Sequence, residues 1–148
     1  MTQSQFPHLA SAASIGPMQL KNRFCMTAMG SMLCDEDGSL NERIMASYEA
    51  RAKGGAALLT MGSVSVAYPE GTSSPHQVAL SDDRYIPGMK ALADRVHSHG
   101  ARLAAQLHHG GLVATQDMIN GRPMACPSPP KPGAAGDMAD GILEEEFS

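Results

Sequence analysis

Three short apolar runs set the limits on what this chain can become. Residues 24–29 (FCMTAM), 56–61 (AALLTM) and 101–107 (ARLAAQL) are each too short for a packed helix and are followed by glycine or polar residues, as buried strands are. The segments between them have a different period. In the first, Leu40, Ile44, Tyr48 and Ala52 recur at i, i+4, i+8 and i+12; Ser39 stands as a cap with Glu42 three residues on, and Gly54-Gly55 closes the helix. In the second, Pro87 suits a first turn, Met89, Leu92, Ala93 and Val96 form the apolar stripe, and Gly100 is placed to stop it. Strand, helix, strand, helix, strand with buried-looking strands is the pattern of parallel β/α units rather than of a meander.

The flanks are less regular. Residues 1–19 read as a short hairpin or lead-in strand turning at Gly16-Pro17, and 120–139 as a Pro/Gly-rich loop. Residues 140–148 read as the start of a further helix capped by Asp140, with Glu144 and Glu145 in its first turn. With 148 residues, one domain spanning 1–148 is expected.

Fifteen acidic against eleven basic residues give a formal charge of -4, with no basic cluster, which argues against nucleic acid or an anionic membrane as partner. No lysine or arginine precedes Lys21 and no apolar run approaches a membrane span, so the expectation is a soluble, cytoplasmic protein. Cys25, Cys34 and Cys126 form no C-x-x-C pair, which suits reduced thiols that are mostly buried, Cys25 among them as an inert residue inside the first strand.

In parallel β/α architectures ligands gather at the C-terminal ends of strands. Those ends are Thr27-Ala28-Met29-Gly30, Gly62-Ser63 and the stretch from Gln106 to Gly111. Small residues at the first two let a flat ligand approach the backbone. The Gln106 amide, set among apolar neighbours, calls for a matching polar ligand or backbone, and its paired donor and acceptor suit an amide-like ring edge. The pairs His97/His99 and His108/His109 are better explained by a helix C-terminus and a strand-end loop than by a metal, and no metal ligand is assigned. Tyr48, on the apolar stripe, reads as core.

The segments LKNRFCMTAMGS (20–31), YEARAKGGAALLTMGSV (48–64) and VHSHGARLAAQLHHGG (96–111), in this order and spacing, resemble the N-terminal portion of the Old Yellow Enzyme family of FMN-dependent oxidoreductases; ACPSPP (125–130) is also similar. The resemblance implies an α/β fold, the first three β/α units of a (β/α)8 TIM barrel that is incomplete in this chain. It implies FMN held by Thr27, Ala28, Met29 and Gly30 beneath the ring, with Ser63 near a carbonyl edge and Gln106 on the pyrimidine portion. The implied reaction is ene-reductase chemistry, hydride passing from NAD(P)H through flavin to an activated alkene such as an enoyl or dienoyl thioester or a steroid-like enone.

The sequence departs from the family at four places: Ala28 where proline is frequent, Gly30 where a threonine or cysteine tunes the flavin, Leu112 where arginine is usual, and Gly62 where a glutamate is common. The last is closer to the 2,4-dienoyl-CoA reductase and trimethylamine dehydrogenase branch. The family's proton donor, substrate-anchoring pair and phosphate loops lie on later strands, and the larger branch adds a 4Fe-4S cluster in segments this chain lacks, so no catalytic residue is assigned. A second chain that completes the barrel is one consequence; the alternative function is a non-catalytic α/β fragment or subunit that pairs with another chain and binds no flavin.

Overall fold

The computed structural model describes residues 6–114, 117, 119, 121–126, 128 and 142–144, the last three as backbone. After a single helical turn, α1 (Pro7–Ala10), an antiparallel hairpin forms from β1 (Ala13–Ile15) and β2 (Met18–Leu20). The expected alternation follows: β3 (Cys25–Met26), α2 (Glu42–Lys53), β4 (Leu58–Ser65), α3 (Ile86–Ser98) and β5 (Arg102–His108). The three strands form one parallel sheet in the order β3-β4-β5.

Both helices pack on one face of this sheet. Side chains alternate along a strand, and Leu59, Met61 and Val64 of β4 are fully buried together with Ile44, Tyr48 and Ala52 of α2 and Leu92 and Val96 of α3. Met26, Leu59 and Leu103 stand in register across the three strands as one row of that core. The opposite row, Cys25, Leu58 and Arg102, faces away from the helices. Arg102 on that face donates to the Gln19 carbonyl of β2 at 3.4 Å, while Cys25 is exposed, contrary to the buried thiol the sequence suggests.

The helices start and stop for local reasons. The Ser39 cap expected from the sequence does not form: its N–H and hydroxyl both bond the Asp37 carboxylate at 3.0 Å, which also holds the Asp37 carboxyl below its usual range. Asn41 is the N-cap instead, its side chain accepting from the Ile44 N–H at 3.2 Å. Glu42 does not close a capping box but reaches across to Arg95 of α3 through two bonds of 2.6 and 2.7 Å. Pro87 lies in the first turn of α3 and Gly100, at φ +69, follows its end, as the sequence indicates.

Lys21, just past the hairpin, donates to the carbonyls of His99 (2.8 Å) and Ala52 (3.4 Å), so one ammonium serves the C-terminal ends of both helices. Beyond β5 the structure departs from expectation. Within the Pro/Gly-rich segment, β6 (Met124–Cys126) forms and pairs in parallel with β7 (Ile142–Glu144). Residues 142–144 are therefore strand, not the helix expected from Asp140, because β6 gives them a ladder partner; Asp140, Glu145 and residues 129–139 lie outside the described residues.

Candidate functional site

The candidate residues fall on one transverse row of the sheet. Met61 pairs with Ala105 and Val64 with Leu107, so Gly62 and Ser63 of β4 together oppose the single residue Gln106 of β5, which is a β-bulge. On the other side of β4, Gly30 forms an isolated parallel bridge with Gly62. Gly30, the Gly62-Ser63 bulge and Gln106 thus line up across three strands, and Thr27, Ala28 and Met29 lead into that row from β3.

Close approach explains the glycine at the centre. A Cβ on Gly62 would stand 2.5 Å from the Met29 nitrogen and 2.8 Å from the Ala28 carbonyl carbon, so only glycine lets these backbones meet. Above Gly30, by contrast, a Cβ would meet nothing within 4 Å. Thr27 is exposed and Met29 is 57% exposed, so this end of the sheet offers open, partly apolar surface.

The sequence pattern predicts a buried Gln106 in need of partners. It is exposed, and its amide bonds no described residue, because the face of β5 that carries it is uncovered. The buried glutamine is Gln77, 4% exposed and satisfied on every side. It donates to the carbonyl and hydroxyl of Ser63 at 3.1 and 3.3 Å and accepts from the Ser73 N–H at 2.9 Å. This amide ties the loop after β4 to the bulge, and no periodic pattern points to it, since it sits in a turn-rich stretch.

The histidines have separate tasks. His108 Nε2 lies 2.8 Å from the Ser73 hydroxyl, joining β5 to the same loop, and His109 Nδ1 accepts from the Gly111 N–H at 3.1 Å. His99 meets Glu49 at 3.2 Å near the end of α3. No group of three potential metal ligands converges among the described residues.

The loops after β3 and β4 are joined by a reciprocal pair that sequence reasoning missed. The Cys34 thiol donates to the His76 carbonyl at 2.6 Å, and His76 Nδ1 lies 3.1 Å from the Cys34 carbonyl. Burial pushes the Cys34 thiol up to about 11, which keeps it protonated and unreactive. Alkylation with iodoacetamide at mildly alkaline pH is therefore expected to label Cys25 rapidly and leave Cys34 unmodified until the chain unfolds; peptide mapping reads the result, and equal labelling would place Cys34 outside the core. Tyr68, whose hydroxyl donates to the Glu36 carbonyl, is shifted upward mainly by burial, and so is Tyr48 in the core.

Residues 11–144 match the NADH:flavin oxidoreductase / NADH oxidase family, and the chain belongs to it. It is 40% identical over 126 residues to the NADH oxidase of Thermoanaerobacter brockii, covering 85% of this chain and 19% of that protein. The structure is similar to Old Yellow Enzyme from Pichia sp. AKU4542 with a TM-score of 0.81 at 20% identity, covering 95% of this chain and 38% of that one. It is also similar to 2-naphthoyl-CoA reductase in complex with 2-naphthoyl-CoA, with a TM-score of 0.78 at 23% identity, covering 85% and 21%. The chain spans about a fifth of the length of that NADH oxidase, and its three parallel strands and two helices form part of a TIM barrel.

The residues present fit one side of an FMN site. The open space over Gly30, the close-packed Gly62 and the unpartnered Gln106 amide in one row suit the edge of a flat ring bearing alternating donors and acceptors. No helix among the described residues is long and apolar enough to cross a membrane.

Proposed function

We propose that this chain supplies the first part of an FMN-dependent oxidoreductase barrel and holds the pyrimidine side of the flavin on the row Gly30, Gly62-Ser63 and Gln106. The observation that carries this reading is the register: the bulge sets Gln106 opposite Gly62 and Ser63, while the bridge brings Gly30 alongside. Thr27, Ala28 and Met29 line the approach, and the Ser63 carbonyl and hydroxyl are held in place by Gln77. Flavin, when bound, supplies hydride transfer, while the protein supplies orientation.

The whole protein's reaction is transfer of hydride from NAD(P)H to an activated alkene of the enoyl-thioester or enone class. The similarity to a reductase of an aromatic CoA thioester supports the thioester class. The chemistry of Gln106 is directly testable. Gln106→Ala is expected to weaken FMN binding by about tenfold, the loss of one or two hydrogen bonds worth ~1.4 kcal/mol, read by flavin fluorescence quenching on titration. Unchanged affinity would remove Gln106 from the site.

A second reading, a subunit that pairs with another chain, is favoured by one observation. On the helix-side row of β5, Leu107 is 63% exposed, whereas its register partner Val64 is fully buried. A β/α segment from a second chain would cover that row and pair the open edge of β5. Visible absorption together with native mass measurement, with and without FMN, separates the cases. Bound flavin on a single species supports the first reading alone, bound flavin on a mixed species supports both, and an oligomer that ignores FMN supports the non-catalytic subunit.

A further inference from the structure

Two cavities meet behind the loop that follows β4. The smaller opens on Gly30, Gly62 and Ser63; the larger, about 720 Å³, is lined in part by Tyr68, Thr72, Arg84 and Arg122. Ser74 and His76 belong to both walls. The larger volume suits a small organic ligand.

The charged groups of the larger cavity are not equivalent. Arg122 is paired with Glu70, and Glu36 and Asp117 also line the cavity. Arg84 makes no ion pair among the described residues, yet it is fixed. It donates to the Tyr85 hydroxyl and lies over the Tyr85 ring, 4.7 Å from its centroid. Tyr85 is itself buried and donates to the Asp37 carbonyl at 2.8 Å. A guanidinium held this way presents its remaining N–H groups without first losing side-chain freedom, which favours recognition of a planar oxyanion.

His76 is fixed as well. The carbonyl of Cys34 only accepts, so the Nδ1 of His76 beside it carries the proton, and in the neutral ring Nε2 is an acceptor. Nε2 has no partner among the described residues. His76 has φ +50, and the other described non-glycine residue with positive φ, Met32 at +51, lines the same small cavity. Strained backbone persists where its surroundings over-determine it, and it gathers at ligand sites.

We propose that the larger cavity binds a small carboxylate anchored on Arg84, with Nε2 of His76 placed to accept a hydrogen bond from a hydroxyl on the same molecule. Because Ser74 and His76 also wall the cavity at the strand ends, a ligand held here lies beside the row Gly30, Gly62-Ser63. That adjacency bears on catalysis only if the flavin reading holds, whereas carboxylate binding does not depend on it.

The test is titration of the isotopically labelled 148-residue chain with mandelate, following the Arg84 Nε–H and His76 ring resonances by NMR, with FMN titrated separately on the same preparation. Saturable shifts of both resonances are expected, with affinity at least about tenfold weaker in Arg84→Gln and partly retained in Arg84→Lys. Phenylacetate, lacking the hydroxyl, is expected to bind more weakly and to leave the His76 ring unshifted. The proposal is overturned by an absence of saturable shifts, by equal binding of the neutral mandelamide, or by an unchanged affinity in an Arg84→Gln protein with the unfolding midpoint of the parent. Phenylacetate binding as tightly as mandelate would overturn the role of His76. Failure of FMN to bind, with mandelate still bound, would sink the flavin reading and leave this one standing.

Discussion

Gly62→Ala is expected to lower stability by about 1–3 kcal/mol and to abolish FMN binding at concentrations that saturate the parent chain. The added methyl cannot be absorbed by a flexible side chain, because its nearest neighbours are the Met29 nitrogen at 2.5 Å and the Ala28 carbonyl carbon at 2.8 Å. The strand-end segment after β3 must move away from β4, which breaks the Gly30–Gly62 bridge. Gly30→Ala is the matched control, with no atom within 4 Å of its new carbon. Its stability should equal the parent's, so any loss of FMN affinity there comes from contact with the ligand. Urea unfolding at constant slope and flavin titration give both numbers. A Gly62→Ala chain as stable as the parent would mean that the two backbones do not meet; a Gly30→Ala chain with full FMN affinity would mean that no ring passes over Gly30.

Leu59→Ala should cost more, about 2–5 kcal/mol. Leu59 has no exposed surface and stands between Met26 and Leu103 beneath both helices, so its removal leaves a cavity at the middle of the only large core cluster described. Small domains are stable by about 5–15 kcal/mol, and the expected result is loss of a cooperative thermal transition or a large drop in its midpoint by circular dichroism. Leu107→Ala provides the contrast. At 63% exposure it should leave the isolated chain nearly unchanged; a loss comparable to that of Leu59→Ala would show that something covers β5 in solution.

The helices were legible in the sequence because a 3.6-residue stripe is a property of the chain itself: Ile44, Tyr48 and Ala52 are buried as their spacing requires. Their caps were less so. Ser39 and Asn41 are both good N-cap residues, and what decides between them is that Asp37 already holds the Ser39 hydroxyl. The order of strands was legible too, but the exposure of β5 was not, since an apolar run looks the same whether or not a neighbour exists to cover it. Gln106 and Gln77 show the limit most clearly. Sequence pattern drew attention to the glutamine in the apolar strand, while the amide with a full set of partners sits in a loop whose path depends on contacts from distant segments. The β7 strand was missed for a similar reason, because its ladder partner β6 lies about twenty residues away in a proline-rich stretch.

Lys21 also separates two kinds of residue in space. The carbonyls it binds end α2 and α3, and those helix ends precede β4 and β5, so this clamp sits at the pole where the strands begin. The candidate ligand row, the Gln77 amide and the Cys34–His76 pair all sit at the pole where the strands finish. Exchanging loops at the finishing pole can therefore alter what the chain binds without loosening the bolt at the other. Engineering that begins from this protein has an anchored half to leave alone and a recognition half to rewrite.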